Sequence, residues 1–158
     1  MARFVVVLPL VPLGAGDEFT VADWPLHVTL VEPFQTALDA TEVARAVGRS
    51  VADAREVRAT AGDEALFGRR RNVPVTLVRD GGALGGLRER ALEALRDAGI
   101  DLERSRLEFR PHVTHKRHGR LRAGQRVDLR TVALIDMRPP QGAHHRRVIA
   151  TWELRERA

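Results

Sequence analysis

The chain has 158 residues, of which 44% are hydrophobic and 30% charged, and this is typical of a single globular domain, residues 1–158, rather than of a disordered or membrane-spanning protein. It contains no cysteine, which excludes disulfide frameworks, thiolate metal ligands and thiol nucleophiles. The formal net charge of +5 is unevenly spread along the chain. Residues 104–158 carry 14 cationic and 5 anionic side chains, whereas residues 1–103 carry 12 cationic and 16 anionic side chains. The C-terminal third therefore favours a phosphate or polyanion partner.

The first third of the chain predicts two strands and a helix. Residues 4–10 form a valine-rich apolar run that ends among prolines, which favours a buried strand over a secretory signal, and we therefore expect a cytoplasmic protein. In residues 26–31 apolar side chains alternate with polar ones, as in a strand with one polar face. Asp39, with Glu42 three residues later, predicts the start of a helix over residues 40–54.

The middle of the chain predicts a hairpin and a second helix. Residues 55–66 and 73–78 are typical of strands, and they flank a basic loop, residues 68–72. Leucine and alanine repeat at helical spacing over residues 83–98, and Gly99 is placed to end that helix.

The last third predicts three more strands, over residues 107–115, 131–137 and 148–154. Residues 144–147 (HHRR) follow two prolines and predict a solvent-exposed turn, with a phosphate-binding loop as the alternative. Two helices among many short strands indicate an α+β fold in which helices pack on one face of a mostly antiparallel sheet. A histidine-bearing strand in each half suggests two lobes that face each other across a groove.

One short motif, a histidine followed two positions later by a threonine, occurs in both halves of the chain. The first copy is His27 and Thr29, and the second is His112 and Thr114. Both lie in predicted strands, where residues i and i+2 share a face. Each strand therefore presents an imidazole and a hydroxyl group side by side.

This pair of motifs suits displacement at phosphorus. Such a reaction needs a base that activates the attacking water or hydroxyl and an acid that protonates the leaving oxygen. Two imidazoles with pKa values near ~6.5 can supply both groups at neutral pH. The two threonine hydroxyls would donate to the non-bridging phosphate oxygens, and the scheme requires no metal and no cofactor.

The two motifs in their contexts, residues 26–34 (LHVTLVEPF) and 109–114 (FRPHVT), resemble the 2H phosphoesterase superfamily, whose branches include 2′-5′ RNA ligase-like proteins and RNA 2′,3′-cyclic phosphodiesterases. The resemblance implies two mostly antiparallel sheets, each with a packed helix, related by a pseudo-two-fold axis across a central cleft. It also implies hydrolysis of a ribose 2′,3′-cyclic phosphate of an RNA end or nucleotide, with His27 as acid and His112 as base. The residues themselves leave those two roles open.

The residues after the second motif depart from the family pattern. His115 stands where an apolar residue is usual, and by alternation it should face away from the cleft and bond a backbone carbonyl. The resemblance also leads us to expect a phosphate-contacting cation here, and of Lys116 and Arg117 we favour Arg117.

Several features admit two interpretations. Residues 69–71 (RRR) form a charged loop or contact an RNA backbone, and Trp24 and Phe34 pack in the core or stack on a base. The histidines at 112, 115 and 118 are spaced so that a strand would turn them onto different faces, which disfavours a metal site.

The motifs leave alternatives to the cyclic phosphodiesterase. One is a nucleotide or RNA end-binding module with little catalysis, another is 2′-5′ RNA ligation, and a third is a metal hydrolase. In each, the partner is an RNA terminus or a small cyclic nucleotide, and we expect a monomer that does not engage a membrane.

Overall fold

The structure is a computed structural model that describes residues 1–102 and 108–157. Neither helix in these residues has the length and apolar character that a membrane span requires. The elements in chain order are β1 (Ala2–Pro9), β2 (Glu18–Thr20), β3 (His27–Thr36), α1 (Ala40–Val51), β4 (Val57–Phe67), β5 (Val73–Arg79), α2 (Ala83–Asp97), β6 (His112–Thr114), β7 (Arg126–Leu129), β8 (Thr131–Asp136) and β9 (His145–Glu153).

The strands form one antiparallel sheet in the order β2-β9-β8-β1-β3-β6-β5-β4-β7. The mixed helix and sheet architecture confirms the α+β expectation. The two expected sheets are instead continuous, because β3 and β6 pair at the centre through Val28 and Val113. The pseudo-two-fold axis stays a prediction.

Both helices begin and end close to the predicted positions. The Asp39 side chain accepts from the Glu42 N–H at 2.9 Å and the Glu42 side chain accepts from the Asp39 N–H at 3.3 Å, so the predicted capping box forms at the start of α1. After α2, Gly99 has a φ of 90°, which lies in the left-handed region that glycine adopts without strain.

The two helices pack against each other on one face of the sheet and share its main apolar core. The other face carries a smaller core on the β1–β9 side. Its buried members are Val5, Val7, Trp24, Ala133, Ile135 and Val148. Successive side chains of β1 therefore point alternately to the face that the helices cover and to the opposite face, which a loop covers.

One predicted strand and one predicted turn need correction, and two short strands were not predicted. The predicted strand at 107–115 is reduced to β6, with Leu107 outside the described residues; Pro111 still accepts a hydrogen bond from the Val78 N–H of β5 at 2.9 Å, but the strand itself begins at His112. Residues 144–147, predicted as a turn, begin β9 at His145. The short strands β2 and β7 were not predicted, since each is too short to show an apolar alternation.

A buried arginine ties α2 to the strand that carries the first motif. Arg88 is 2% exposed, and its Nη1 donates to the Leu30 carbonyl at 2.9 Å and to a Glu32 carboxylate oxygen at 2.8 Å. Its guanidinium carbon also lies 4.8 Å from the ring centre of Phe109. These contacts fix β3 immediately after Thr29.

We expect Arg88→Met to lower the free energy of unfolding by about 3 kcal/mol, because the substitution strands the Glu32 carboxylate and the Leu30 carbonyl. Arg90→Met, on the exposed side of the same helix, should change it by less than about 0.5 kcal/mol. Urea unfolding curves measure both values, and equal effects from the two substitutions would contradict the account.

Candidate active site

The central strand pair brings the two histidine–threonine motifs together. With Val28 opposite Val113 in antiparallel register, His27 comes opposite Thr114 and Thr29 comes opposite His112. Val28 and Val113 are buried in the core beneath the helices, so the four motif side chains share the other face of the sheet. Directly opposed residues have Cβ atoms about 5 Å apart, which places all four groups around one point.

The two imidazoles are anchored in the same way. Nδ1 of His27 lies 2.8 Å from the carbonyl of Pro25, and Nδ1 of His112 lies 2.8 Å from the carbonyl of Arg110. A carbonyl only accepts, so each Nδ1 carries its hydrogen and donates it. In the neutral ring the unprotonated nitrogen is therefore Nε2, the atom that either accepts a proton or, once charged, donates one.

His27 lies in an environment that disfavours its charged form. The Trp24 ring, which is 8% exposed, stacks on the imidazole with ring centres 4.3 Å apart and planes 23° apart. Burial lowers the pKa of His27 from 6.5 to about 4, with smaller lowering contributions from Lys116 and His112 and an opposing one from the Pro25 carbonyl. The free protein therefore holds this ring neutral at pH 7.

His112 lies at the edge of an open groove of about 580 Å³, which Thr29 and Thr114 also line. The Phe67 ring packs edge-on against the imidazole at 4.5 Å, and the Arg110 guanidinium lies 4.9 Å from the centre of that ring. A central cleft between two lobes stays a prediction. His27 lies beside the groove and outside its lining.

Lys116 is a cation close to the first motif, and Arg71 and Arg110 line the groove on the side of the second. The Lys116 Nζ lies 5.6 Å from the centre of the Trp24 ring and its charge lowers the pKa of His27. Arg117, favoured from the sequence, lies exposed in the turn between Lys116 and Gly119. A phosphate contact by Arg117 stays a prediction.

His115 turns away from the cluster, as alternation predicted. Its Nε2 lies 2.8 Å from the Thr76 hydroxyl, which itself donates to the Leu121 carbonyl at 3.0 Å. Since that hydroxyl has one hydrogen, it accepts from His115. The predicted backbone carbonyl partner is therefore wrong, and a threonine takes its place.

Both aromatic residues near the first motif are buried. Phe34 is 6% exposed and packs on Phe4, and Trp24 covers His27, so the core interpretation holds for both. The sequence pattern did not indicate Phe67, and of the two candidate cations Lys116 was the one not favoured. The even spacing of Lys116 from His112 and Thr114, which would keep it on their face, is a signal in its favour.

The arrangement provides two imidazoles, two hydroxyls and a cation around one point beside an open groove. This is the set of groups that proton transfer and charge stabilisation at a phosphate require. Within residues 1–102 and 108–157, no three histidine, aspartate or glutamate side chains are grouped so that they could hold a metal ion.

Comparisons with known proteins give both a family and a fold. A family model described as the 2′-5′ RNA ligase superfamily matches residues 15–135. No curated protein matches the chain in sequence.

Among solved structures, a protein described as a phosphoesterase aligns with a TM-score of 0.64 and 17% identity over 98% of this chain and 99% of its own. TT0787 of Thermus thermophilus aligns with a TM-score of 0.63 and 18% identity over the whole of both chains. LigT of E. coli in complex with 3′-AMP aligns with a TM-score of 0.64 and 16% identity over 98% of each chain. The match of the family model over most of the chain, on a fold shared with LigT, shows that this protein belongs to the 2′-5′ RNA ligase superfamily, the 2H phosphoesterases.

Proposed function

We propose that the protein is a metal-independent phosphodiesterase that opens a ribose 2′,3′-cyclic phosphate of an RNA end or nucleotide to a monoester. The observation that carries the proposal is the register of β3 against β6, which gathers His27, Thr29, His112 and Thr114 on one face beside the groove. In a member of this family, acid–base catalysis at phosphorus gives a role to both imidazoles and to both threonine hydroxyls.

In the proposed reaction, one imidazole Nε2 takes a proton from water as the water oxygen forms a bond to phosphorus. The bond from phosphorus to one ribose oxygen breaks, and the second imidazole gives its proton to that oxygen. The products are a phosphate monoester and a free ribose hydroxyl. The carbonyls bonded to the two Nδ1 atoms hold the rings in the orientation that both transfers require.

Thr29 and Thr114 each stand opposite the histidine of the other motif. Their hydroxyls can donate to the two non-bridging oxygens, where negative charge accumulates in the transition state. Lys116 adds a positive charge on the same face. LigT, which has the same fold, binds 3′-AMP in one crystal structure, and this supports a nucleotide-like substrate.

The family resemblance assigns the acid to His27, whereas burial keeps that ring neutral in the free protein. A bound phosphate, an anion beside the ring, would raise its pKa and allow it to carry the proton. A phosphodiester with an activated leaving group, such as p-nitrophenolate, needs no general acid, and it separates the assignments. If His27 is the acid, His27→Ala keeps its turnover of that substrate, and if His27 is the base, His27→Ala loses it.

In the free protein we expect the His27 imidazole to titrate near pH 4, as read from its Cε1–H signal in NMR spectra. The unfolded ring titrates near ~6.5, so between pH 6.5 and 4 the unfolded state binds more protons and stability falls as pH falls, by about 3 kcal/mol in total. Urea unfolding across this window measures the loss. His27→Gln should remove it, and a titration midpoint above pH 6 would contradict the burial argument.

His27→Ala and His112→Ala should each lower kcat on nucleoside 2′,3′-cyclic phosphates by about 10²- to 10⁴-fold with the fold intact, because each removes one proton-transfer group. His144→Ala, at an exposed position, is the matched control and should have no effect. Turnover measured with and without EDTA should be the same. Turnover that survives both active-site substitutions would exclude this mechanism, and phosphate binding without any turnover would favour the binding-module alternative.

Thr29→Val and Thr114→Val preserve side-chain shape but remove one hydroxyl donor. We expect each to lower kcat about 10- to 100-fold, with a smaller effect on KM, because the donor acts mainly on transition-state charge. Thr41→Val, on the exposed surface of α1, serves as the control. Steady-state kinetics on the same cyclic substrates give the values, and an unchanged kcat in both variants would show that the hydroxyls do not contact the phosphate.

A further inference from the structure

Two cationic side chains, those of Lys116 and Arg146, pack against Trp24 on the β1–β9 side of the motif cluster, and a third cation, Arg3, lies close enough to Arg146 to lower its pKa. The Nζ of Lys116 and the Cζ of Arg146 lie 5.6 and 5.4 Å from the centre of the Trp24 ring. Arg3 is linked to Arg146 through Met137, whose N–H donates to the Arg3 carbonyl at 2.8 Å and whose carbonyl accepts from Arg146 Nη1 at 3.4 Å. We call Arg3, Lys116, Arg146 and Trp24 the Trp24 cation cluster.

These cations repel one another in a partly dehydrated environment. Burial, followed by the charge of Arg146, lowers the pKa of Lys116. Burial and then Arg3 lower the pKa of Arg146, and Asp136 opposes them by raising it. The ion pairs formed within residues 1–102 and 108–157 involve other arginines, so the cluster keeps a net positive charge. Such an arrangement costs stability unless an anion offsets it.

The cluster also contains hydrogen-bond donors without acceptors. In the described part of the chain, the buried side-chain nitrogen and oxygen atoms that lack a partner are Arg3 Nε, Trp24 Nε1 and Arg146 Nε. All three are N–H donors, so what the cluster lacks is an acceptor. The Nη1 of Arg146 is held by the carbonyls of Ala143 and His145, at 3.0 and 2.9 Å, which fixes the guanidinium in place.

The cluster extends away from the point where the reacting phosphorus would lie. On β1, Val7 pairs with Thr29, and Arg3 lies four residues further along the strand, on the same face. At ~3.3 Å per residue this separates the backbone of Arg3 from that of Val7 by about 13 Å. An anion that contacts Arg3 and Arg146 is therefore a different group from the one between the two motif threonines.

We propose that the Trp24 cation cluster is a second anion-binding subsite, which holds a phosphoryl group other than the one that reacts. Guanidinium and indole N–H groups are donors suited to phosphate oxygens, and a phosphate would supply both the missing acceptors and the missing negative charge. The assignment to a substrate rests on the proposed function. The preferred substrate then carries two phosphates, the cyclic one at the motif cluster and a second one on the β1–β9 side.

Anion binding is tested first without catalysis. Inorganic pyrophosphate is titrated into the full chain while the indole N–H signals of Trp24 and Trp152 are followed by NMR. Trp152 packs beside Gly48, on the helix side of the sheet, and is the internal reference. We expect a saturable shift of the Trp24 signal alone. No shift of Trp24, or equal shifts of both signals, would overturn the subsite.

Variants locate the bound anion. Arg3→Gln should weaken the Trp24 response about tenfold, as expected for loss of one charged donor, whereas Arg147→Gln, exposed on the opposite face of β9, should leave it unchanged. Thr114→Val removes a hydroxyl from the reacting-phosphate position. A Trp24 response that persists in Thr114→Val supports a separate subsite, and one that is lost there but kept in Arg3→Gln assigns the anion to the motif cluster and overturns the proposal.

Kinetics test the link to substrate. The comparison is between a nucleoside 2′,3′-cyclic phosphate and the same nucleoside with an added 5′-phosphate. We expect the added phosphate to raise kcat/KM about tenfold in the native chain and in Arg147→Gln, and this ratio to approach one in Arg3→Gln. A ratio near one in the native chain overturns the substrate assignment. If neither compound is turned over while Trp24 still responds to pyrophosphate, the proposed function fails and the anion subsite stands.

Discussion

The site depends on one pairing of strands. β3 and β6 meet at the centre of the sheet through Val28 and Val113, and their antiparallel register determines which side chains face each other. A slip of one residue in either strand would turn the motif of that strand into the core and bring its valine to the surface, so burial of the two valines and alignment of the two motifs depend on the same register. The apolar residue in the middle of each motif therefore contributes to stability and to chemistry together.

The two histidines beside this strand pair make the same kind of hydrogen bond but lie in different surroundings. Each Nδ1 donates to the carbonyl two residues earlier in the chain, and each ring packs on an aromatic side chain. Trp24 stacks flat on His27 under a small apolar core, whereas Phe67 touches His112 edge-on beside the open groove. Equivalent sequence motifs have thus acquired different surroundings, and burial lowers the pKa of His27.

The sequence was informative where local rules decide structure. The helix start at Asp39 follows from a capping box, and the shared face of each histidine and threonine follows from strand alternation. The sequence was uninformative where a structure depends on contacts between segments that are far apart in the chain. β2 and β7 form because longer strands provide edges for them. Arg3 and Arg146 are 143 positions apart, and only the pairing of β1 with β8 and of β8 with β9 brings them together.

The carbonyl behind each imidazole has a consequence for the catalytic cycle. In the proposed hydrolysis, the ring that begins neutral ends with an extra hydrogen ion and the other ring ends without one, so the starting distribution has to be restored between rounds. Because Nδ1 of each ring donates to a carbonyl, that exchange would use Nε2, the atom that faces the reacting phosphate in the proposal. Under the proposed mechanism, regeneration of the free protein therefore follows product release, with solvent water as the proton carrier.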